Sequence, residues 1–285
     1  MTSHTAVPFR HGLLSISAAA VAWGVGGAVA ALLMRTSGLG PVAVSCWRFG
    51  VAALCLALLP PAAARSGKPG STVLTGLGLA VSQCAYFGSV HYAGLGLGTL
   101  ITIGAGPVLT SLGAHLLLGE HLTRRSAAAV LLALGGLALL VAAPAAGPRP
   151  ALGVALAVIA GAGQSGLTLW ARGGGSARAS TGAFTTGLLC LLPFAAVQGV
   201  LPAAGEPALT GAALLFLGTV PTLLAYRWYF SGLTAVPGTT ASVLVLLEPA
   251  TAAVIGVVFL GEPFTVGLAA GSALLLAAIA ALTRA

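Results

Sequence analysis

Aspartate is absent from this chain of 285 residues, and its four acidic residues are all glutamates. Charged residues of both signs make up 6% of it, against about 25% in an ordinary soluble domain. So little charge excludes a water-soluble enzyme or binding domain. The twelve basic residues give a net charge of +8, but they stand singly or in pairs between apolar runs, with no basic face and no interleaved aromatics. Nucleic acid is therefore not an expected partner. The four cysteines, Cys46, Cys55, Cys84 and Cys190, all fall inside apolar runs, with no C-x-x-C and no Cys/His cluster. They read as small buried hydrophobes, and neither a metal nor a cofactor is expected.

Apolar sequence fills the space that charge vacates. The chain is 58% hydrophobic, with a mean hydropathy of +1.06. Runs of about 20 apolar residues cross a bilayer as helices. Ten are present, at about 13–34, 42–60, 72–92, 95–118, 126–143, 151–170, 180–200, 208–230, 237–260 and 265–283. Glycine and proline punctuate the short connections, as at Gly38 to Pro41, Pro60-Pro61 and Pro144 to Pro150. These features predict an all-α integral membrane protein with ten transmembrane helices and no soluble domain, the lipid bilayer being its constant partner. The first run, with Arg10 and His11 before it, has the look of a cleaved leader, but it continues to Met34 and is too long for a signal core.

Two stretches share one pattern. In the first, at 95–123, Pro107 sits mid-run and Gly119-Glu120 closes it; in the second, at 237–265, Pro249 and Gly261-Glu262 do the same. The offset is constant, since 249 − 107 and 262 − 120 both give 142, and it also pairs Ser89 with Ser231, Ala93 with Ala235, Gly96 with Gly238 and Thr123 with Thr265. A looser match at offset 135 aligns Phe49, Leu54, Cys55 and Leu56 with Phe184, Leu189, Cys190 and Leu191. Proline, glutamate and threonine are scarce enough here that one shared register marks a duplication. The expected repeats are 1–146 and 147–285, five helices each.

An odd number of crossings per repeat turns the second copy over, so the repeats are expected to be inverted. Arg10, Arg65, Lys68, Arg124, Arg125, Arg172, Arg178 and Arg284 then share one side with both termini, and Arg35 and Arg149 take the other. The basic excess assigns the first side to the cytoplasm, and the inner membrane of the cell is the expected location. Inverted repeats place a binding site near mid-depth, where rocking of the halves gives alternating access.

Glu248 is the one acid inside a span; Glu120, Glu206 and Glu262 lie in connections. An ionised acid at a helix centre costs about 3 kcal/mol on insertion scales, so it faces a bundle interior or a watery cavity. It either binds substrate or carries a coupling proton, or else it is a neutral acid hydrogen-bonded for packing. Pro107 and Pro249 kink their helices, as flexing points or as static bends. Glu120 and Glu262 read as structural caps beside helix-ending glycines. Arg48, in Cys46-Trp47-Arg48-Phe49, snorkels to the nearby interface, makes a structural hydrogen bond, or meets a substrate carboxylate. Arg227, among Tyr226, Trp228, Tyr229 and Phe230, reads as an interfacial anchor. Trp23, beside Gly24, Gly26 and Gly27, is too deep for an aromatic belt. With Gln83, Tyr86 and Gln164 it lines a pocket or merely packs. His91, His115 and His121 are isolated, and Gly267 with Gly271 has the spacing of close helix packing.

Three apparent motifs dissolve on inspection. Gly161-Ala162-Gly163-Gln164-Ser165-Gly166 has the glycine spacing of a dinucleotide loop, but no acid follows about twenty residues on. Gly163-Gln164-Ser165-Gly166 is similar to the nucleophile motif of rhomboid proteases, which needs a histidine on a later span, and none occurs after His121. Gly173-Gly174-Gly175-Ser176 has no phosphate-loop lysine. No enzyme is expected.

Ala22-Trp23-Gly24, Arg48-Phe49, Pro107 with Leu118-Gly119-Glu120, and Glu248-Pro249 with Leu260-Gly261-Glu262 together resemble the EamA-type family of the drug/metabolite transporter superfamily. The resemblance spans nearly the whole chain. It implies ten helices in two inverted five-helix repeats, cytoplasmic termini, and secondary transport, often export, of small metabolites such as amino acids. The chain departs from the family at His121, where an arginine or lysine is usual, and at Arg227. A multidrug exporter of lipophilic cations, with Glu248 as counter-charge, is the nearest alternative reading; a membrane sensor or scaffold without transport is the alternative of another class.

Overall fold

The computed structural model describes residues 8–59, 69–93, 95–140, 148–173, 180–260 and 266–283, and among them every regular element is helical. The helices are α1 (Phe9–Ser37), α2 (Pro41–Leu58), α3 (Pro69–Ala93), α4 (Leu95–Leu118), α5 (Arg124–Leu140), α6 (Pro150–Arg172), α7 (Thr181–Gln198), α8 (Pro207–Gly218), α9 (Ala225–Gly232), α10 (Gly238–Leu244), α11 (Leu247–Leu260) and α12 (Val266–Thr283). Eight helical stretches among the described residues are long and apolar enough to cross a bilayer. Two of these are compound. A π-helical turn at Thr219–Leu224 joins α8 to α9, and α10 meets α11 across Val245 and Leu246. α5 and α12 are shorter, at 17 and 18 residues.

The punctuation seen in the sequence sets several boundaries. Pro41, Pro150 and Pro207 open α2, α6 and α8, where a missing N–H costs nothing. Glu206 caps α8 by accepting from the amides of Ala208 at 3.3 Å and Leu209 at 2.8 Å, and Ser180 caps α7 by accepting from Ala183 at 3.2 Å. Gly38, with φ of 72°, closes α1.

Contacts between helix ends fix the relative directions of α1, α3, α6 and the α8–α9 stretch. The ends of α4, α6 and α9 and the start of α10 meet through Glu120, Arg172, Leu233 and Gly238, and Gly12 at the start of α1 lies against Val236 nearby. At the opposite face, Ala203 donates its amide to Ser37 O at 3.0 Å, joining the end of α1 to the connection before α8. Arg149 donates to Tyr92 O at 3.1 Å, joining the start of α6 to the end of α3. α1 therefore leaves the face at which α6 arrives, and α3 runs against the compound stretch α8–α9.

The main core gathers buried side chains from α1, α2, α3, α6, α7, α9 and α10, with Phe49 and Phe184 both fully buried at its centre. Their rings lie 5.8 Å apart. These are the two residues aligned at offset 135, and a residue touches its own counterpart only close to an axis relating the two copies. A second cluster packs α5 against α10 and α12 through Ala133, Leu137, Leu246 and Leu275.

Candidate functional site

The site is assembled where α1 lies against the compound helices. A Cβ at Gly24 would stand 2.6 Å from the Glu248 carbonyl oxygen and 2.7 Å from Thr251 Cβ. Only glycine permits that approach, and it seats α1 on the first turn of α11 at Glu248. One residue earlier, Trp23 is 8% exposed. Its ring packs on Tyr226 at 5.2 Å and on Tyr229 at 5.3 Å, both from α9. Tyr229 in turn shares a 2.6 Å hydroxyl contact with Thr168 of α6.

Proline accounts for both interruptions in the second half of the chain. Pro221 has no N–H to offer the Leu217 carbonyl four residues back, and the Thr222 hydroxyl takes that place, donating to Leu217 O at 2.7 Å within the π-helical turn. Pro249 similarly cannot serve Val245, whose carbonyl accepts instead from the Glu248 amide at 2.9 Å, and the helix breaks there. α4 stays continuous through Pro107, and Gly106 O beside it accepts from Ser165 Oγ at 3.2 Å.

Arg48 turns inward from α2 and donates from Nε to Thr222 Oγ1 at 3.0 Å. It is within electrostatic range of both Glu248 and Tyr226, and Tyr86 and Tyr226 are each within range of Glu248. Glu248 and Arg48 are only half-buried despite their depth along the helices. Among the described residues no hydrogen bond reaches the Glu248 carboxylate or leaves Arg48 Nη1 or Nη2, and none of these atoms is sealed from accessible space. The two charges do not form an ion pair; Glu120 with Arg172 does, at 2.8 Å. A half-buried cation and a half-buried anion thus face the same neighbourhood without being bonded to each other.

The structure thus brings Trp23, Arg48, Tyr86 and Glu248 into one neighbourhood. Tyr86 also shares a 3.0 Å contact with Thr99 Oγ1, tying α3 to α4. Gln83 and Gln164 are half-buried on α3 and α6, helices joined by Ser82 Oγ donating to Ala160 O at 2.7 Å, and among the described residues no hydrogen bond ties either glutamine to Glu248. Sequence reasoning did not single out Thr222, Tyr226 or Tyr229. The signal was there in the 3–4 spacing of Thr222, Tyr226, Tyr229 and Leu233, all buried, whereas Arg227 and Trp228 between them are exposed. An apolar cleft of about 550 Å3, lined by Trp47, Val51, Leu201, Thr210 and Leu214 among others, opens at the far face and contains neither Arg48 nor Glu248.

Glu120 follows Gly119, whose φ of 66° ends α4. Its carboxylate reaches across the molecule. Oε1 accepts from Arg172 Nε at 3.1 Å and Nη2 at 2.8 Å; Oε2 accepts from the Gly238 amide at 3.1 Å, at the start of α10. Arg172 Nη1 also donates to Leu233 O at 3.0 Å. The neighbouring helix α5 is capped instead by Thr123, which accepts from the Ser126 amide at 3.1 Å. Glu262 lies outside the described residues.

A multi-pass helical membrane protein built from two related halves, with a charged site between them, is the class that this fold and site define. The model of the EamA-like transporter family matches at residues 10–142 and again at 151–284, and the chain belongs to that family, within the drug/metabolite transporter superfamily. A Pseudomonas aeruginosa protein described as uncharacterized is 33% identical over 291 residues, covering 95% of this chain and 96% of its own. An uncharacterized transporter of Bacillus subtilis, YwfM, is 29% identical over 191 residues, covering 65% of this chain and 63% of its own. A crystal structure of another protein superposes with a TM-score of 0.80 at 20% identity, over 95% of this chain and 98% of that one, which shows a shared fold.

Proposed function

We propose that this protein is a secondary transporter of the inner membrane that exports small zwitterionic metabolites such as amino acids. Its ten crossings form inverted repeats, 1–146 and 147–285, that rock about a central chamber. The observation that carries the reading is the open pair of Arg48 and Glu248, one from each repeat, within electrostatic range and not bonded to one another. A solute ammonium fits against Glu248 and its carboxylate against Arg48, while Trp23 and Tyr226 supply apolar wall. Arg10, Arg124, Arg125 and Arg172 on the Glu120 side, against Arg35 and Arg149 on the other, support cytoplasmic termini.

The test is counterflow of labelled L-leucine into proteoliposomes preloaded with unlabelled leucine. Saturable accumulation is the expected result, and no amino acid flux of any kind refutes the reading. The aromatic wall beside a carboxylate also favours a second reading, export of lipophilic cations. Inhibition of leucine counterflow by a quaternary ammonium dye, with transport of the dye itself, favours that alternative.

A further inference from the structure

We propose that Thr222 is the positioning residue of the site: its hydroxyl holds the Arg48 Nε–H and so presents the Nη1–Nη2 edge of the guanidinium to the carboxylate of the transported solute. This rests on the amino acid reading above and goes further by fixing which edge of the arginine is free and what fixes it. The argument starts from Pro221, which leaves the Leu217 carbonyl without its helical donor. A threonine hydroxyl has one proton to give. Thr222 gives it to Leu217 O at 2.7 Å, so toward Arg48 the oxygen can only accept, and it does so from Nε at 3.0 Å.

Thr222 is fully buried, so no water competes for its hydroxyl, whereas half-buried Arg48 lies within reach of water once that hydroxyl is removed. A guanidinium donates to a carboxylate bidentately along its Nε–Nη2 edge or its Nη1–Nη2 edge. With Nε engaged, the second edge remains, and neither of its nitrogens has a partner among the described residues. The cation belongs to the first repeat and its holder to the second, so the geometry of the binding edge is set by how the two halves meet.

Two measurements on the purified full-length protein test this. In nanodiscs, with nitrogen-labelled arginine, the Arg48 Nε–H resonance is identified by its loss in Arg48→Lys. Its exchange with water is expected to accelerate at least about tenfold in Thr222→Val and to stay near wild type in Thr222→Ser, as loss and retention of a charge-assisted hydrogen bond require. In thermal stabilisation titrations, L-leucine is compared with leucinamide, which keeps the ammonium and lacks the carboxylate. Thr222→Val is expected to raise the half-saturating concentration of leucine about tenfold, the scale of one such bond, leave that of leucinamide unchanged, and be rescued by Thr222→Ser. Unaltered Nε–H exchange in Thr222→Val overturns the positioning role, and an equal rise for both probes overturns the free edge. A wild-type protein stabilised by neither probe sinks the amino acid reading, and the Nε–H exchange then decides the role of Thr222 by itself.

Discussion

The two repeats keep a proline at the same register and respond to it differently. α4 passes through Pro107 as one helix, whereas the equivalent stretch of the second repeat breaks into α10 and α11 just before Pro249. A similar contrast separates α3, unbroken from Pro69 to Ala93, from the stretch with α8, the π-helical turn and α9. Position 79, which matches Pro221 at the offset of 142, is a leucine. In the second repeat proline interrupts the helix at both sites, whereas in the first α4 runs on through Pro107. Where Thr222 and the Glu248 amide step in, the helix deforms and its polar residues turn toward the neighbouring half. Duplication supplied a scaffold, and divergence between the copies supplied the acid, since the counterpart of Glu248 is Gly106.

The sharpest way to break that comparison is to move the acid. Glu248→Gln is expected to cut leucine counterflow on the order of 100-fold, a loss of about 2.7 kcal/mol in transport. Adding Gly106→Glu to it is expected to restore nothing, because the second carboxylate would enter the repeat that already carries the arginine. Recovery of flux in the double variant would show the two repeats to be interchangeable.

A smaller effect concerns packing. Gly24 and Gly166 match at the same offset, yet a Cβ at Gly24 collides with α11 while one at Gly166 meets nothing within 4 Å. Gly24→Ala is expected to destabilise the protein by about 1–3 kcal/mol through overpacking. Gly166→Ala should be neutral or stabilising by up to about 1 kcal/mol from helix propensity. Thermal unfolding in one detergent compares them, and equal shifts would remove the asymmetry argued for α1.

The smallest difference is expected at the prolines themselves. Pro249→Ala restores a donor for Val245 and should slow counterflow by a few-fold, on the order of 1 kcal/mol. Pro107→Ala, in a helix that is already continuous, should leave the rate within about twofold. Matched losses would mean that both prolines flex alike.

Much of the scaffold was legible because proline, glycine and charge are scarce and hence informative. Pro41 and Pro150 marked connections and turn out to open α2 and α6, and the spacing of Pro107, Gly119 and Glu120 from Pro249, Gly261 and Glu262 revealed the duplication. Glu248 stood out because no other acid lies within a span. What surrounds it was not legible, since Thr222 and Tyr226 acquire their meaning from Arg48 and Trp23, 174 and 203 positions away along the chain (222 − 48 and 226 − 23). The aromatic run at 226–230 has the composition of an interfacial belt, and only its division into a buried face and an exposed one separates Tyr226 and Tyr229 from Arg227 and Trp228. Glu120 looked like a local cap for a related reason: its partners, Arg172 and Gly238, are contributed by the other repeat.

That carboxylate fastens the ends of three chain segments at one surface. Arg172 and the Gly238 amide share its two oxygens, and Arg172 reaches on to Leu233. The termini of α6, α9 and α10 are thereby yoked, so none of them can tilt away alone without leaving an arginine or a carboxylate unanswered in a poorly hydrated seam. If transport parts that surface, the separation is expected to be concerted, with both ions solvated together.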